Sequence, residues 1–409
     1  MHFTRSSLLP FAALFLSALP FSTLCVRAEQ PDTKKLAPVI QPFVDDHSIA
    51  GAVMLVASKD KVLDVETVGF ADINARLPMS ADRLFWIASM TKPMTATALM
   101  MLVDEGKVKL DDPVEKYLPE FRELWLSVEK DDDHKLLKHP THRILVKNLL
   151  SHTSGLNQPG PFDRQPNTVE LKEGVMSYPL MPMKFDPGTQ YEYCNPGINT
   201  AGRLVEVISG MPYEQFMDER IFKPLGMKET TFWPTEAQMA RTAKSYRLNA
   251  KKTGLDETPA MAFRDPVTGR RSMPFPAGGL YSTANDVYLF CRMILNGGQA
   301  DGKRYLSEAV IHQMTSTQTG DLISKGKGEN GYGFGWSTTR RIHGETDPLF
   351  VGPFGHGGAY ATDMWIDPQN NLITIFMTQR AAIGPEGGKI KSTLHQASQE
   401  AFGSASTGK

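Results

Sequence analysis

The chain has 409 residues, with 44 Lys and Arg against 45 Asp and Glu, and a formal net charge of −1 at pH 7. The balance lacks the basic excess that is typical of proteins that bind nucleic acid or anionic lipid, and it favours a neutral or small-molecule partner. The length suits one large composite domain or two closely associated ones.

Residues 1–28 have the pattern of a secretory signal peptide. Arg5 gives a positive start, an apolar run "LLPFAALFLSALPFSTL" follows, and the segment ends in small residues at Ala28. We therefore expect cleavage near Ala28, export to the periplasm or the medium, and no stable membrane anchor afterwards. The mature chain keeps Cys194 and Cys291, which could pair in an oxidising compartment.

Two alternatives for this segment stay open. A membrane-spanning anchor is disfavoured by the short apolar run and by its two prolines, Pro10 and Pro20. A lipid anchor on Cys25 is conceivable, although Leu24 is a bulky neighbour for such a site.

Patterns of strand and helix follow in chain order. A helix is predicted first, then two strands around a polar turn at 59–61, and then a helix over 89–105 that ends at Gly106. Helical patterns and Pro-containing connections dominate from about 110 to 270. The C-terminal part predicts three strands and a final helix, with the sequences "GYGFGWSTTRR", "AYATDMWIDP", "NLITIFMTQR" and "IKSTLHQASQEAF".

Neither group of strands is large enough to be stable alone. We therefore predict an α+β fold in which both ends of the chain build one antiparallel sheet flanked by helices, with an inserted, mostly helical part. The predicted domain spans 37–405. Its sheet part covers about 37–108 and 271–405, and its helical part about 109–270. Pockets tend to form at such boundaries, where Ser89 is expected.

Ser89 and Lys92 stand three residues apart at the start of the helix predicted over 89–105. This spacing puts both side chains on one face, where the lysine can take a proton from the serine. The helix N-terminus also offers N–H groups to a developing oxyanion. Because S-x-x-K is a common tetrapeptide, a surface helix start is the alternative explanation.

Two further stretches favour a catalytic interpretation. Tyr193 and Asn195 follow a Pro-Gly turn, and a tyrosine beside a lysine ammonium can lose its proton more easily than usual. An asparagine can hold both a lysine and a substrate amide or ester. The third stretch, "FGHGGAY", spans 354–360 and lets another molecule approach its backbone closely. Each stretch alone is equally typical of core packing, capping or a turn.

Together the three stretches resemble the serine β-lactamase and penicillin-binding-protein superfamily, in the branch of class C β-lactamases, D-alanyl-D-alanine carboxypeptidases and family VIII carboxylesterases. The superfamily's motifs are S-x-x-K, then S-D-N or Y-x-N, then K-T-G or a relative. Here they stand as Ser89-Met90-Thr91-Lys92, Tyr193-Cys194-Asn195 and His356-Gly357-Gly358. Passages such as "KNLLSHTSGL" and "PAGGLYSTANDVYLF" extend the resemblance over nearly all of residues 37–400.

The resemblance implies a class C β-lactamase-like, DD-peptidase fold and a role for each motif residue. Ser89 would be the acylated nucleophile, and Lys92 with Tyr193 would handle protons. Asn195 would position the substrate, and the backbone N–H groups of Ser89 and Ala359 would form the oxyanion hole. His356, Gly357 and Gly358 would line the substrate-binding side.

The third motif departs from the family pattern, because His356 replaces its lysine and Gly357 its hydroxyl residue. A mostly neutral histidine and a glycine hold a substrate carboxylate poorly. We therefore predict a carboxylesterase that acts on small neutral esters through an acyl-enzyme. The alternatives are a β-lactamase or D-amino-acid peptidase with the same machinery, and, from another class, a catalytically silent protein that binds cell-wall fragments.

No cofactor and no metal are expected. His134, His139 and His142 crowd one loop and could bind zinc, but the loop lacks the cysteine or carboxylate pairing of a typical site. The oligomeric state, the acyl chain and the natural substrate have no signature in the sequence.

Overall fold

The computed structural model describes residues 36–163, 169–261, 269, 271–322, 331–339 and 352–403. Residues 35–409 form one compact unit. The predicted signal peptide lies outside the described residues. No described helix is both long enough and apolar enough to cross a membrane.

The helices fall mostly between the two groups of strands. They are α1 Ala37–Asp45, α2 Thr91–Asp104, α3 Val146–Leu150, α4 Leu171–Met176, α5 Asn195–Ser209, α6 Tyr213–Met217, α7 Lys223–Leu225, α8 Glu236–Ala240, α9 Ala284–Leu295, α10 Glu308–Thr315 and α11 Pro385–Phe402. A π-helical turn, Asp218–Phe222, connects α6 to α7.

The strands lie mainly at the two ends of the chain. They are β1 Gly51–Ala57, β2 Val62–Asp72, β3 Leu77–Pro78, β4 Phe85–Trp86, β5 Leu126–Lys130, β6 Lys135–Lys138, β7 Tyr246–Leu248, β8 Leu255–Glu257, β9 Tyr281–Ser282, β10 Gln299–Ala300, β11 Lys303–Arg304, β12 Gly331–Tyr332, β13 Ser337–Thr338, β14 Phe354–Gly357, β15 Asp363–Asp367 and β16 Leu372–Met377.

One antiparallel sheet of eight strands joins both ends of the chain, in the order β12-β13-β14-β15-β16-β1-β2-β3. The two ends of the chain meet where β1 pairs with β16, with Val53 opposite Met377 and Leu55 opposite Ile375. This confirms the predicted α+β class and the sheet built from two distant segments. The predicted hairpin of β1 and β2 is also present.

The buried side chains of β1 belong to two layers of the core, because successive side chains of a strand point to opposite faces of the sheet. Val53 and Leu55 belong to the main core with α2 and α9. Met54 and Val56 belong to a second cluster under α1 and α11. The sheet is therefore covered on both faces, as strands with continuous burial require.

The predicted helix over 89–105 is present as a 3₁₀ turn, Ala88–Met90, followed by α2. Every residue of α2 from Thr91 to Leu102 is buried. A helix that is buried all round belongs to the interior, and α2 packs between the sheet and the helical part through its contacts with α5.

Two sequence predictions about strands need correction. The third-motif stretch was expected to precede a strand, but Phe354–Gly357 is itself a strand, β14, paired with β13 and β15. The passage "GYGFGWSTTRR" was expected to be one strand, but its described residues form a hairpin of β12 and β13. Gly335 causes the reversal, because its φ is 81° and a Cβ there would lie 2.5 Å from that of Ala96.

Candidate active site

Ser89 lies in the 3₁₀ turn that leads into α2. The preceding residue, Ala88, has a φ of 45°, a left-handed conformation that is uncommon for a residue with a Cβ. The turn is held from behind by the hydrogen bond from Ile87 N–H to Leu280 O, at 3.0 Å. Such local strain is often found beside functional groups. Here the turn places Ser89 in the wall of a pocket.

Lys92 lies one turn further along, fully buried beneath Ser89. Its Nζ is 3.2 Å from Ser89 Oγ, 2.8 Å from Asn195 Oδ1 and 2.6 Å from Ala277 O. Burial penalises the ammonium form and lowers the pKa of Lys92 to about 7. A substantial fraction of the side chain is therefore a neutral amine near neutral pH.

The arrangement around Nζ suits a base. A neutral amine has two N–H bonds and one lone pair. The oxygens of Asn195 and Ala277 are close enough to accept those two N–H bonds, which leaves the lone pair for the Ser89 hydroxyl. The deprotonated lysine is thus oriented to remove the serine proton.

Tyr193 completes the group, with its hydroxyl hydrogen-bonded to Ser89 and its ring 4.7 Å from Lys92 Nζ. We expected the neighbouring ammonium to ease the loss of the tyrosine proton. That expectation is wrong, because burial raises the pKa of Tyr193 well above 10. Tyr193 is therefore a neutral hydroxyl that can relay a proton, and Lys92 is the group that titrates near pH 7.

Two residues that sequence reasoning missed hold the second motif in place. Gln158 accepts the N–H of Asn195 at 3.1 Å and donates from its Nε2 to the carbonyl of Tyr193. The buried His152 accepts the N–H of Cys194 through Nδ1, at 3.1 Å. His152 lies in the passage "KNLLSHTSGL", which the sequence analysis used only to extend the family resemblance. Gln158 lies in no motif that would have indicated its role.

His356 lies on β14, buried behind Tyr193, and its Nε2 is 3.0 Å from the Tyr332 hydroxyl. Burial, together with the charge of Lys92, lowers its pKa to about 3. The histidine at the position of the family lysine is therefore uncharged at neutral pH. Its Nδ1, 2.8 Å from the carbonyl oxygen of Gly357, supports the strand rather than the pocket.

Gly357 and Gly358 stand at positions where any larger residue would place its Cβ too close to neighbouring atoms. A Cβ on Gly357 would lie 2.5 Å from Lys391 Nζ, which reaches over from α11. That ammonium is paired with Asp363 at 3.1 Å. A Cβ on Gly358 would lie 2.6 Å from the carbonyl oxygen of Ile87. Glycine at this position therefore lets the end of β14 approach the 3₁₀ turn that carries Ser89, called here the nucleophile turn.

Ser89 and Ala359 both line the pocket. Within the described part of the chain, neither backbone N–H donates to another protein group. Two free N–H groups beside a nucleophile can stabilise the oxyanion that develops on a carbonyl oxygen during attack. The geometry is thus compatible with the oxyanion hole that the family resemblance implies.

The pocket has a volume of about 800 Å³ and mixed walls. Trp86 and Tyr360 form an aromatic side, with ring centroids 4.8 Å apart. Met261 and Phe275 add apolar surface, and Asp163 contributes a carboxylate. This volume suits a small organic molecule.

The sequence also raised a zinc site on a histidine loop and a disulfide between two cysteines. Among the described residues, no group of three or more His, Cys, Asp or Glu side chains could hold a metal ion. Cys194 and Cys291 are both buried and unpaired, so the disulfide that was considered between them is not formed.

Comparisons with known proteins agree with the fold and the motifs. The family model described as Beta-lactamase matches residues 36–397. Protein Rv1367c of Mycobacterium tuberculosis is 34% identical over 363 residues, covering 83% of this chain and 88% of that protein. Esterase EstB of Burkholderia gladioli is 27% identical over 381 residues, covering 86% and 92% of the two chains.

Among solved structures, "EstCE1, a hydrolase with promiscuous acyltransferase activity" superposes with a TM-score of 0.71 at 23% identity. The match covers 89% of this chain and 97% of EstCE1, so the two share one fold over almost their whole lengths. The family model and the similar sequences establish that the chain belongs to the beta-lactamase family. The members of this superfamily are serine hydrolases, and they include esterases, D-alanyl-D-alanine carboxypeptidases and β-lactamases.

Proposed function

We propose that this serine hydrolase is an exported carboxylesterase that acts on small, uncharged esters through an acyl-enzyme on Ser89. The observation that carries the choice of substrate is the neutral third motif. His356 is uncharged at neutral pH, and the nearby ammonium of Lys391 is already paired with Asp363. Lys184, which lines the pocket, is likewise paired with Glu192. A substrate carboxylate would therefore have to compete with a protein carboxylate for either of these ammonium groups.

The chemistry follows from the contacts. Lys92 removes the Ser89 proton as Oγ bonds to the ester carbonyl carbon, and the N–H groups of Ser89 and Ala359 receive the developing oxyanion. When the carbon–oxygen bond to the alcohol breaks, the proton passes from Lys92 through the Tyr193 hydroxyl to the leaving oxygen. Water then attacks the acyl carbon and gives its proton to Lys92. The bond between the acyl carbon and Ser89 Oγ breaks, the carboxylic acid leaves, and the proton returns from Lys92 to Oγ.

Two features support the ester over the amide. The pocket offers aromatic and apolar walls to an acyl or alcohol group. The similarity to a protein named Esterase EstB extends over most of both chains. Export is supported by the signal-like residues 1–28 alone, and N-terminal sequencing of protein recovered outside the cytoplasm would detect cleavage near Ala28.

The test compares a short-chain p-nitrophenyl ester with a chromogenic cephalosporin, using purified mature protein and its Ser89→Ala variant. We expect rapid ester cleavage, negligible cephalosporin cleavage and an inactive variant. Cephalosporin turnover equal to ester turnover would make the protein a β-lactamase and contradict the argument from His356. If neither is cleaved, the same assay on D-alanyl-D-alanine peptides separates a peptidase from a silent binding protein.

A further inference from the structure

A continuous chain of hydrogen bonds runs from the wall of the pocket to Lys92. Asp163 Oδ1 accepts a hydrogen bond from the hydroxyl of Tyr178 at 2.9 Å. The hydroxyl oxygen of Tyr178 in turn accepts one from Asn199 Nδ2 at 2.8 Å. Asn199 Oδ1 accepts the N–H of Ala277 at 3.0 Å. The carbonyl of Ala277 then accepts from Lys92 Nζ at 2.6 Å, the shortest contact of the lysine.

The direction of this chain is fixed by donor and acceptor counting. The carbonyl oxygen of Asn199 faces a backbone N–H, so its NH₂ must donate to Tyr178. The one proton of the Tyr178 hydroxyl is then left for Asp163. Burial, with the carboxylate beside it, raises the pKa of Tyr178 well above 10, so the phenol keeps that proton.

The interior members of the chain are sealed from water. Asn199 is fully buried, and Tyr178 is 2% exposed. Buried polar groups that lose a partner are costly, which makes this arrangement rigid. It therefore holds the position of Ala277, and with it one of the two oxygens that orient the Lys92 amine.

Asp163 also differs electrostatically from the other groups around Lys92. Those groups come from the second motif (Tyr193 and Cys194), the segment after α3 (His152) and β14 (His356). Burial shifts the pKa of each toward its uncharged form. A charge on Cys194 would oppose the effect of burial on Lys92, but burial raises the pKa of that thiol to about 12. The Asp163 carboxylate therefore supplies the negative charge that opposes the effect of burial on Lys92.

We propose that Asp163, Tyr178 and Asn199 are positioning residues that hold Lys92 through the backbone of Ala277, and that the Asp163 carboxylate tunes the proton affinity of this lysine. Without this charge the buried amine binds its proton more weakly. Without the hydroxyl link, Ala277 loses its fixed position while the charge stays. The two contributions are therefore separable by mutation.

The experiment measures the rate at which a fluorophosphonate labels Ser89 as a function of pH. In the wild type, the rate rises with pH through about 7 as Lys92 loses its proton. Asp163→Asn should move this rise to lower pH by about half a unit to one unit, since a negative charge favours the ammonium. Tyr178→Phe should leave the rise in place and lower the plateau about tenfold.

A matched pair of controls lies outside the site. Asp112 accepts from the Tyr117 hydroxyl at 2.6 Å and from the N–H of Lys109 at 2.9 Å. Asp163 likewise accepts from Tyr178 and from the N–H of Gly160. Asp112→Asn and Tyr117→Phe should change neither the position of the rise nor its plateau.

The outcomes are distinct once circular dichroism has shown that the variants fold. An unmoved rise in folded Asp163→Asn, or an equal shift in Asp112→Asn, overturns the proposal. If Asp163→Asn does not fold, Asp163→Glu should retain the wild-type position of the rise with a lower plateau, and a shifted rise would contradict the proposal.

The inference rests on the proposed function only for the role of Lys92 as base. Labelling replaces the fluoride of the probe by Ser89 Oγ, and it requires no ester turnover. Failure to hydrolyse any ester would therefore contradict the proposed substrate class and leave the labelling profile as an independent measurement.

Discussion

In the proposed mechanism, burial decides which side chain can act as the base at neutral pH. Lys92 and Tyr193 both contact Ser89, and burial moves their pKa values toward the neutral forms from opposite sides: down to about 7 for the lysine and well above 10 for the tyrosine. The lysine thereby becomes able to accept a proton, whereas the tyrosine is able only to donate or relay one.

Replacement of Tyr193 by phenylalanine tests the relay. The variant keeps the ring that contacts Lys92 and removes the hydroxyl, so kcat should fall by about two to four powers of ten with a small change in KM. Steady-state ester hydrolysis measures both constants. Tyr191→Phe is the control, because Tyr191 is a neighbouring, partly exposed tyrosine whose ring packs near those of His152 and Tyr332. A neutral Tyr193→Phe would mean that the second motif is misassigned.

Much of the site was predictable at this scale, and the reason is local. The spacing of Ser89 and Lys92 places them on one helical face, and their atoms lie 3.2 Å apart. Gln158, Asp163 and Ala277 act through contacts between residues distant in sequence. No local sequence pattern indicates such contacts, so the residues that hold the motif residues in place could be identified only from the structure.

At the scale of elements, β14 brings the third motif beside the nucleophile turn. Its glycines were expected to precede a strand and to let another molecule approach the backbone, with a turn as the alternative. Gly357 instead lies in the strand, and it leaves room for the end of Lys391. The helices and the first hairpin were easier to predict because their periodicity extends over many residues. The strand of four residues has no such length.

Conversion of this strand toward the family pattern tests its role in selectivity. In His356→Lys with Gly357→Thr, the introduced ammonium and hydroxyl can contact a carboxylate, and the flexible end of Lys391 must move aside. The ratio of cephalosporin to ester hydrolysis should rise about tenfold, the size of one charge-assisted hydrogen bond. Gly357→Thr alone is the control for steric effects, and an unchanged ratio in the double variant would contradict the argument from the third motif.

At the scale of the whole molecule, the sheet is centred on strands from opposite ends of the chain. β1 and β16 are buried along their entire lengths and lie between two hydrophobic layers. The sequence predicted one sheet built from both ends of the chain, because neither strand group could be stable alone. The residue-by-residue register depends on side-chain packing across the sheet, which a single sequence does not display.

The fully buried Ile375 of β16, which belongs to the main core, tests this centre. Ile375→Ala should lower the free energy of unfolding by about 2–5 kcal/mol, because it leaves a cavity. Val65→Ala on β2, where the side chain is 40% exposed, should change it by less than about 0.5 kcal/mol. Denaturant titration measures both, and equal effects would place the core elsewhere.

The pairing of β1 with β16 also orders events during synthesis. Ser89 and Lys92 are synthesised early, yet the strand beside β1 spans Leu372–Met377. In a nascent chain, Ser89 is therefore present through most of translation without the folded surroundings that bury Lys92 and lower its pKa. We therefore expect activity only after the last strands have paired across a contact that spans more than three hundred residues.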